Sequence, residues 1–188
     1  MLDAYLQAKE PFRLGAKRFA TSGDLLLGAS MTTYSTPTQT EDRLAILDLI
    51  GRLVLVLDGR DWDALGQLFT DTVYSDRTSL LGGEPVTVGR AEFVEGWRQT
   101  LQNLDAVHHM ITCHVITLDG DRAACSANMM GTHVYTNHSG GPIWTVGGRH
   151  DYQLQRTADG WKISGLTFNL QWSTGNMNIV TLAVAGQR

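Results

Sequence analysis

The sequence predicts an α+β fold in which an antiparallel sheet curls around the first helix, and three observations carry that prediction. Apolar residues recur at helical spacing in three early stretches, residues 40–58, 61–68 and 89–103. The period then changes to two over four long stretches, residues 108–118, 122–136, 143–156 and 161–172. Those four are joined by the turn-forming strings Asp119-Gly120, Ser139-Gly140-Gly141 and Asp159-Gly160. Helices first and a meander of strands afterwards give segregated layers, because strands joined by short turns must be antiparallel neighbours.

Length and charge bound the rest. At 188 residues, with 43% hydrophobic and 18% charged residues, the chain suits one globular domain with an appendage. A net charge of −4 without a basic cluster argues against nucleic acid or an anionic membrane as a partner. No apolar run is long enough to span a bilayer, and Met1-Leu2-Asp3 lacks the basic-then-apolar order of a signal peptide, so a cytoplasmic protein is expected.

Residues 1–39 mix charge, Gly, Ser and Thr around short apolar pieces such as Leu25-Leu26-Leu27, and are expected to form a loosely ordered extension or an arm that packs on a neighbour. The domain proper is expected over residues 40–172. Thr40 is a suitable N-cap for the first helix, with Glu41 and Asp42 in the first turn. Leu44, Leu47, Ile50, Val54 and Leu57 form its apolar stripe, and Asp58 falls on the same stripe. Gly59 is the expected C-terminal cap, which puts Asp58 in the last turn, where the helix dipole disfavours an anion by roughly 0.3–1 kcal/mol. A carboxylate pointing inward there needs a hydrogen-bond partner. Asp61 caps the second helix, two strands follow near residues 72–76 and 85–88 around Gly82-Gly83, and Phe93, Trp97 and Leu101 give the third helix its buried face. The tail, residues 173–188, is apolar enough at Ile179, Val180, Leu182 and Val184 to pack back as a strand, helix or lid.

Cys113 and Cys125 flank the Asp119-Gly120 turn, and a two-residue loop pairing Leu118 with Asp121 places the sulfurs on opposite faces. Two reduced core thiols are expected rather than a bridge. No CxxC, HExxH or other close-spaced ligand set is present, so no metal site is expected.

The order of elements, together with Leu57-Asp58-Gly59-Arg60-Asp61-Trp62-Asp63-Ala64-Leu65, His108-His109-Met110-Ile111, Gly147-Gly148 through Arg156, and Asp159-Gly160-Trp161-Lys162-Ile163, resembles the nuclear transport factor two-like superfamily, in its polyketide-cyclase-like (SnoaL-like) branch. The resemblance covers about residues 40–172 and implies a cone-shaped curved antiparallel sheet wrapped by the N-terminal helices. The branch includes dehydratases and a dehydrochlorinase that use a histidine held by an aspartate as base inside the cone. Carried onto this chain, the acid falls on Asp58 and the histidines on His109 and His133, while an arginine of the dehydrochlorinase looks like Arg156. Tyrosines that some of those enzymes place beside the acid, or one turn before it, are replaced here by Leu57 and Leu53.

The resemblance and the residues together set the functional expectation. Imidazole suits proton abstraction near neutral pH, and a carboxylate fixes its tautomer and stabilises the imidazolium. The expected activity is that of a cofactor-free lyase or isomerase, dehydratase-like, acting on a small, mainly apolar or amphipathic molecule. Asp58, His109 and His133 are the candidate catalytic residues, and either histidine is a partner for Asp58. The hairpin register puts His108 on the face of His133, so bringing His109 there requires one β-bulge, expected at Gly131. Tyr74, Asn128, Tyr135, Arg149, Asp151, Asn169 and Trp172 are the candidate substrate-binding residues, with Arg149 and Asp151 also readable as a surface pair. His114, His138 and His150 are expected to be structural. The alternatives are a non-catalytic small-molecule-binding or assembly module of the same fold, and a hydrolase built on Arg149 and Asp151. Relatives of this shape cover the outer sheet face by association, so a homodimer or homotrimer is expected.

Overall fold

A computed structural model describes residues 37–187 of the chain. The expected extension lies outside the described residues except for its last three, which form the first turn of helix α1, Pro37–Gly59. Proline suits that place, since its fixed φ fits a helix start and its missing N–H has no partner to lose there. The helix therefore starts before Thr40, and Thr40 is inside it rather than its cap. Helix α2, Trp62–Gln67, follows, capped by the Asp61 side chain, which accepts from the Ala64 N–H. Strand β1, Phe69–Asp76, leads through a single helical turn, α3 (Thr78–Leu81), to strand β2, Val86–Gly89. Gly82 and Gly83 between them hold φ of +71° and +79°, which only glycine adopts without strain. Helix α4, Arg90–Leu101, precedes the long strands β3 (Ala106–Asp119), β4 (Arg122–Val134), β5 (Ile143–Thr157) and β6 (Gly160–Gly175), and helix α5, Ile179–Val184, closes the described chain.

The six strands form one sheet in the order β2-β1-β6-β5-β4-β3, antiparallel throughout except for the parallel pair β1–β6. Extra residues interrupt the antiparallel ladders in three places, Cys113-His114 on β3, Ser164 on β6 and Gln171 on β6, and the parallel β1–β6 ladder shifts register between Phe69 and Tyr74. Each bulge bends its strand and adds twist, so the long strands wrap one face of the sheet around helix α1. That inner face carries Cys125, Ala127, Met129, Val146, Tyr152, Leu154, Ile163 and Phe168, all buried.

Helix α1 meets this face with Ile46, Leu49, Ile50, Leu53 and Leu57. The expected stripe was rotated: Leu44 and Leu47 are 61% and 38% exposed. The helix is leucine-rich nearly all round, so its spacing alone supports two stripes and the sheet selects one. Its end is also displaced by one residue. Arg60, not Gly59, takes the left-handed conformation, with φ of +58°. The Arg60 N–H donates to Leu57 O (3.1 Å) and the Asp61 N–H to Val56 O (2.9 Å), the paired bonds of a Schellman end. The Arg60 guanidinium donates to Leu104 O at 2.6 Å, which ties this end to the segment entering β3.

The β3–β4 loop is Gly120-Asp121, with Asp119 opposite Arg122, one residue later than expected. Cys125 is buried but Cys113 is exposed, so the two thiols are not both in the core. Arg156 bonds Asp42 of α1 (2.6 Å) and Asp121 (3.1 Å) and lies over the Trp161 ring. Trp161 Nε1 donates to the other Asp42 oxygen at 3.1 Å, so the sheet clamps α1 through one carboxylate, held below its usual pKa chiefly by the Arg156 hydrogen bond. Among the described residues no helix is long and apolar enough to cross a membrane.

Candidate functional site

Asp58 stands in the last turn of α1, facing β3. Both carboxylate oxygens are engaged. Oδ2 accepts from the His109 backbone N–H at 2.8 Å, and Oδ1 lies 2.6 Å from His109 Nδ1. A carboxylate only accepts, so this short contact places a proton on Nδ1 and leaves Nε2 of the neutral ring as a lone-pair site. The two bonds offset the dipole and burial penalties that the position imposes. His108, on the opposite face and 74% exposed, has Nδ1 at 3.8 Å from Asp58, beyond hydrogen-bonding reach.

His109 reaches this face through the bulge at Cys113-His114, where Cys113 has φ of +58°. Beyond it His109 pairs with Gly131 and Val107 with His133, which brings His109 and His133 to the same side of the sheet. Gly131 is not the bulge. Its lack of a side chain makes room for the imidazoles: a Cβ there would sit 2.8 Å from His109 Cδ2, 3.1 Å from His109 Nε2 and 3.3 Å from His133 Cε1. The two rings meet edge to face, with centroids 5.5 Å apart. His133 also packs against Trp144 at 5.0 Å, and its Nδ1 is buried without a hydrogen-bond partner. Burial, then the neighbouring His109, lowers the His133 pKa to about 4, so the ring is neutral near pH 7.

A cavity of about 30 Å³ opens beside His109. Leu53, Val54 and Leu57 of α1 form one wall, Phe69 and Trp97 a second, and Ile111, Met129 and Leu166 the sheet side. The remaining lining residue is His150, expected from the sequence to be structural. Its Nδ1 shares a 2.8 Å hydrogen bond with the Tyr152 hydroxyl, and its ring stands edge-on to Phe168. Burial, then His109 and Arg77, lowers its pKa to about 3, while burial raises that of the Tyr152 hydroxyl. The signal for His150 was present in the alternation of β5: it shares parity with Tyr152 and Leu154, the residues that pack inward.

The structure therefore brings Asp58, His109 and His133 together, but most of the expected substrate-binding set lies elsewhere. Tyr135 is buried on the inner side without lining the cavity. Tyr74 alternates with the buried Val73 and Ser75 and so faces out. Asn128, Arg149, Asp151 and Asn169 share the outer face, where Asp151 accepts from Arg149 (3.1 Å), Asn169 (2.8 Å) and Ser126 (2.5 Å). Trp172 lies on the same outer face over Gly147, where a Cβ would come within 2.2 Å of its ring. The bulge at Gln171 reverses its parity relative to Leu170. With Arg149 and Asp151 outside, the cavity wall contains no arginine–aspartate pair of the kind a hydrolase would need.

Comparison with known proteins bears on the family and the fold. The model of the SnoaL-like domain matches residues 38–167. The uncharacterized protein Rv2910c of Mycobacterium tuberculosis is 29% identical over 126 residues, 66% of this chain and 82% of that protein. Among solved structures, Kfla4162 of Kribbella flavida superposes with a TM-score of 0.70 at 30% identity, covering 77% of this chain and 97% of that one. A Novosphingobium aromaticivorans protein assigned as an aromatic ring hydroxylase gives 0.67 at 30% identity, over 78% and 99% of the two chains. A second protein of that organism, assigned as a scytalone dehydratase, gives 0.67 at 16% identity over 76% and 92%, a likeness of fold.

Proposed function

The chain belongs to the SnoaL-like domain family, and on that premise we propose that it is a cofactor-free lyase or isomerase in which His109, oriented by Asp58, removes a proton from a small, mainly apolar substrate. The observation that carries this reading is the 2.6 Å contact between Asp58 Oδ1 and His109 Nδ1 at the wall of an apolar cavity. It fixes the tautomer that leaves Nε2 as base, and the carboxylate stabilises the imidazolium that forms. The proton leaves a carbon next to an electron-withdrawing group and passes to Nε2. The C–H electron pair becomes a double bond, either expelling a leaving group from the adjacent carbon or returning to a proton at another carbon. His150 has the complementary part in the tautomer whose Nδ1 accepts from the Tyr152 hydroxyl, because its Nε2–H is then a donor for negative charge developing on the substrate.

Screening β-hydroxyketones and enones for turnover, followed by Asp58→Asn, tests the reading. A folded Asp58→Asn variant should lose about 10²–10⁴-fold in kcat, the usual range for general base catalysis. Unchanged turnover sinks the dyad. A second reading, a non-catalytic small-molecule-binding module, draws on the small cavity and on the bond from Asp58 to a backbone N–H, which serves the fold whether or not chemistry occurs. On that reading the panel shows thermal shifts without turnover, and Asp58→Asn lowers stability alone.

The assembly forms part of the same proposal. The outer sheet face exposes Met110, Val115, Ile143 and Trp172 at 44–50%, an apolar set suited to a second copy of the chain.

A further inference from the structure

A groove of about 300 Å³ is lined by residues of β1, β2 and α4 and shares no lining residue with the His109 cavity. Its wall includes Ser75, Arg77, Val88 and Phe93, with Glu92 and Glu95 as its acids. Arg77 follows β1 in the inward-facing parity of Val73 and Ser75. Its guanidinium carbon lies 4.9 Å from the centre of the Trp97 ring.

Arg77 forms no ion pair and no side-chain hydrogen bond among the described residues, and two of the nearby acids, Asp76 and Glu95, are engaged with other partners. Glu95 accepts from Arg98 at 2.7 and 2.8 Å and from Gln99 at 2.9 Å. Asp76 accepts from the Thr78 N–H at 3.0 Å and the Thr78 hydroxyl at 2.8 Å. Glu92 is exposed. A half-buried guanidinium over an aromatic face, with its five donors unspent, is a fork for a planar anion. Burial already disfavours its charge, and a bound carboxylate would compensate that charge directly. The Trp97 ring contributes a cation–π contact, and Val88 and Phe93 offer apolar surface beside it.

We propose that this groove is a binding site for monoanionic carboxylates bearing a short apolar or aromatic tail, with the carboxylate on Arg77 and the tail against Val88 and Phe93. The free acid at Glu92 selects against ligands with a second negative charge at their outer end. The site stands on these residues alone and does not depend on the proton-transfer reading of Asp58 and His109.

Calorimetric titration of the full chain with 3-phenylpropionate and with its neutral amide, 3-phenylpropanamide, tests the site. The carboxylate should bind at least about tenfold more tightly than the amide. Arg77→Gln should abolish that preference, whereas Arg77→Lys, which keeps the charge but not the fork, should retain part of it. Asp58→Asn should leave the carboxylate affinity unchanged, which separates this groove from the cavity. Equal binding of acid and amide, no binding of the acid at millimolar concentration, or full retention of the preference in Arg77→Gln would each overturn the proposal. The comparison of acid with amide on the unaltered protein decides the matter even if the Arg77 variants fail to fold.

Discussion

At the scale of single residues, an anion in the last turn of a helix is tolerated only when something compensates it, and Asp58 obtains both a backbone and an imidazole N–H from one residue, His109. The pairing depends on a side chain that is missing. A Cβ on Gly131 would stand 2.8 Å from the His109 ring, so Gly131→Ala must push the imidazole away from Asp58. The expected outcome is a loss of roughly 1–3 kcal/mol in stability, as for other overpacked positions, with loss of any turnover. Urea denaturation and assay of the folded variant check the two effects separately. His133 gives a pH prediction. Its pKa falls from 6.5 to about 4 on folding, so between those values the unfolded chain binds a proton that the folded chain does not. Its contribution to stability is complete above pH 6.5 and is lost as pH falls toward 4, a change on the order of 3 kcal/mol by linkage. His150 acts in the same direction. His133→Phe should therefore flatten the decline in stability between pH 6.5 and 4 without removing it, as read from urea midpoints across that range.

At the scale of elements, the long strands and helices were legible because their periods differ, whereas phase and register were not. Helix α1 has enough leucine for two apolar stripes, and only the sheet decides between Leu44-Leu47 and Ile46-Leu49-Leu53. Parity along β3 and β4 showed that a bulge was needed to bring His109 beside His133. Its place was hidden, because glycine is the usual marker and here the bulge falls at Cys113, with φ of +58°. Gly131 carried the misleading signal for a different reason, the need for space between two rings. A left-handed non-glycine residue is strained by roughly 1–2 kcal/mol, and the exposed Cys113 thiol has no packing to lose. Cys113→Gly should keep the register and raise stability by up to about 1 kcal/mol, measured as a higher urea midpoint. A lower midpoint would mean that the cysteine side chain contributes to the bulge.

At the scale of the whole molecule, the misplaced pocket residues carry information of their own. Alternation along β5 separates Arg149 and Asp151 from His150 and Tyr152, but it does not say which set faces the helix. A polar lining was expected, and the polar set turned out to belong to the other surface. That outer face joins a satisfied polar network at Asp151 to exposed Met110, Val115, Ile143 and Trp172. Half-exposed apolar side chains beside fixed polar groups on a broad sheet are what an interface between copies of one chain uses. Trp172 stands over Gly147 on this face, a large rigid side chain of the type that dominates interface energies. The protein should sediment as a dimer or trimer at micromolar concentration. Trp172→Glu combined with Met110→Glu should convert it to a monomer with an unchanged far-ultraviolet circular dichroism spectrum, because both side chains already face away from the core. Sedimentation velocity reads the result directly. A monomeric unaltered protein, or an oligomer that survives both charges, would place the interface elsewhere and leave the outer face as ordinary solvent surface.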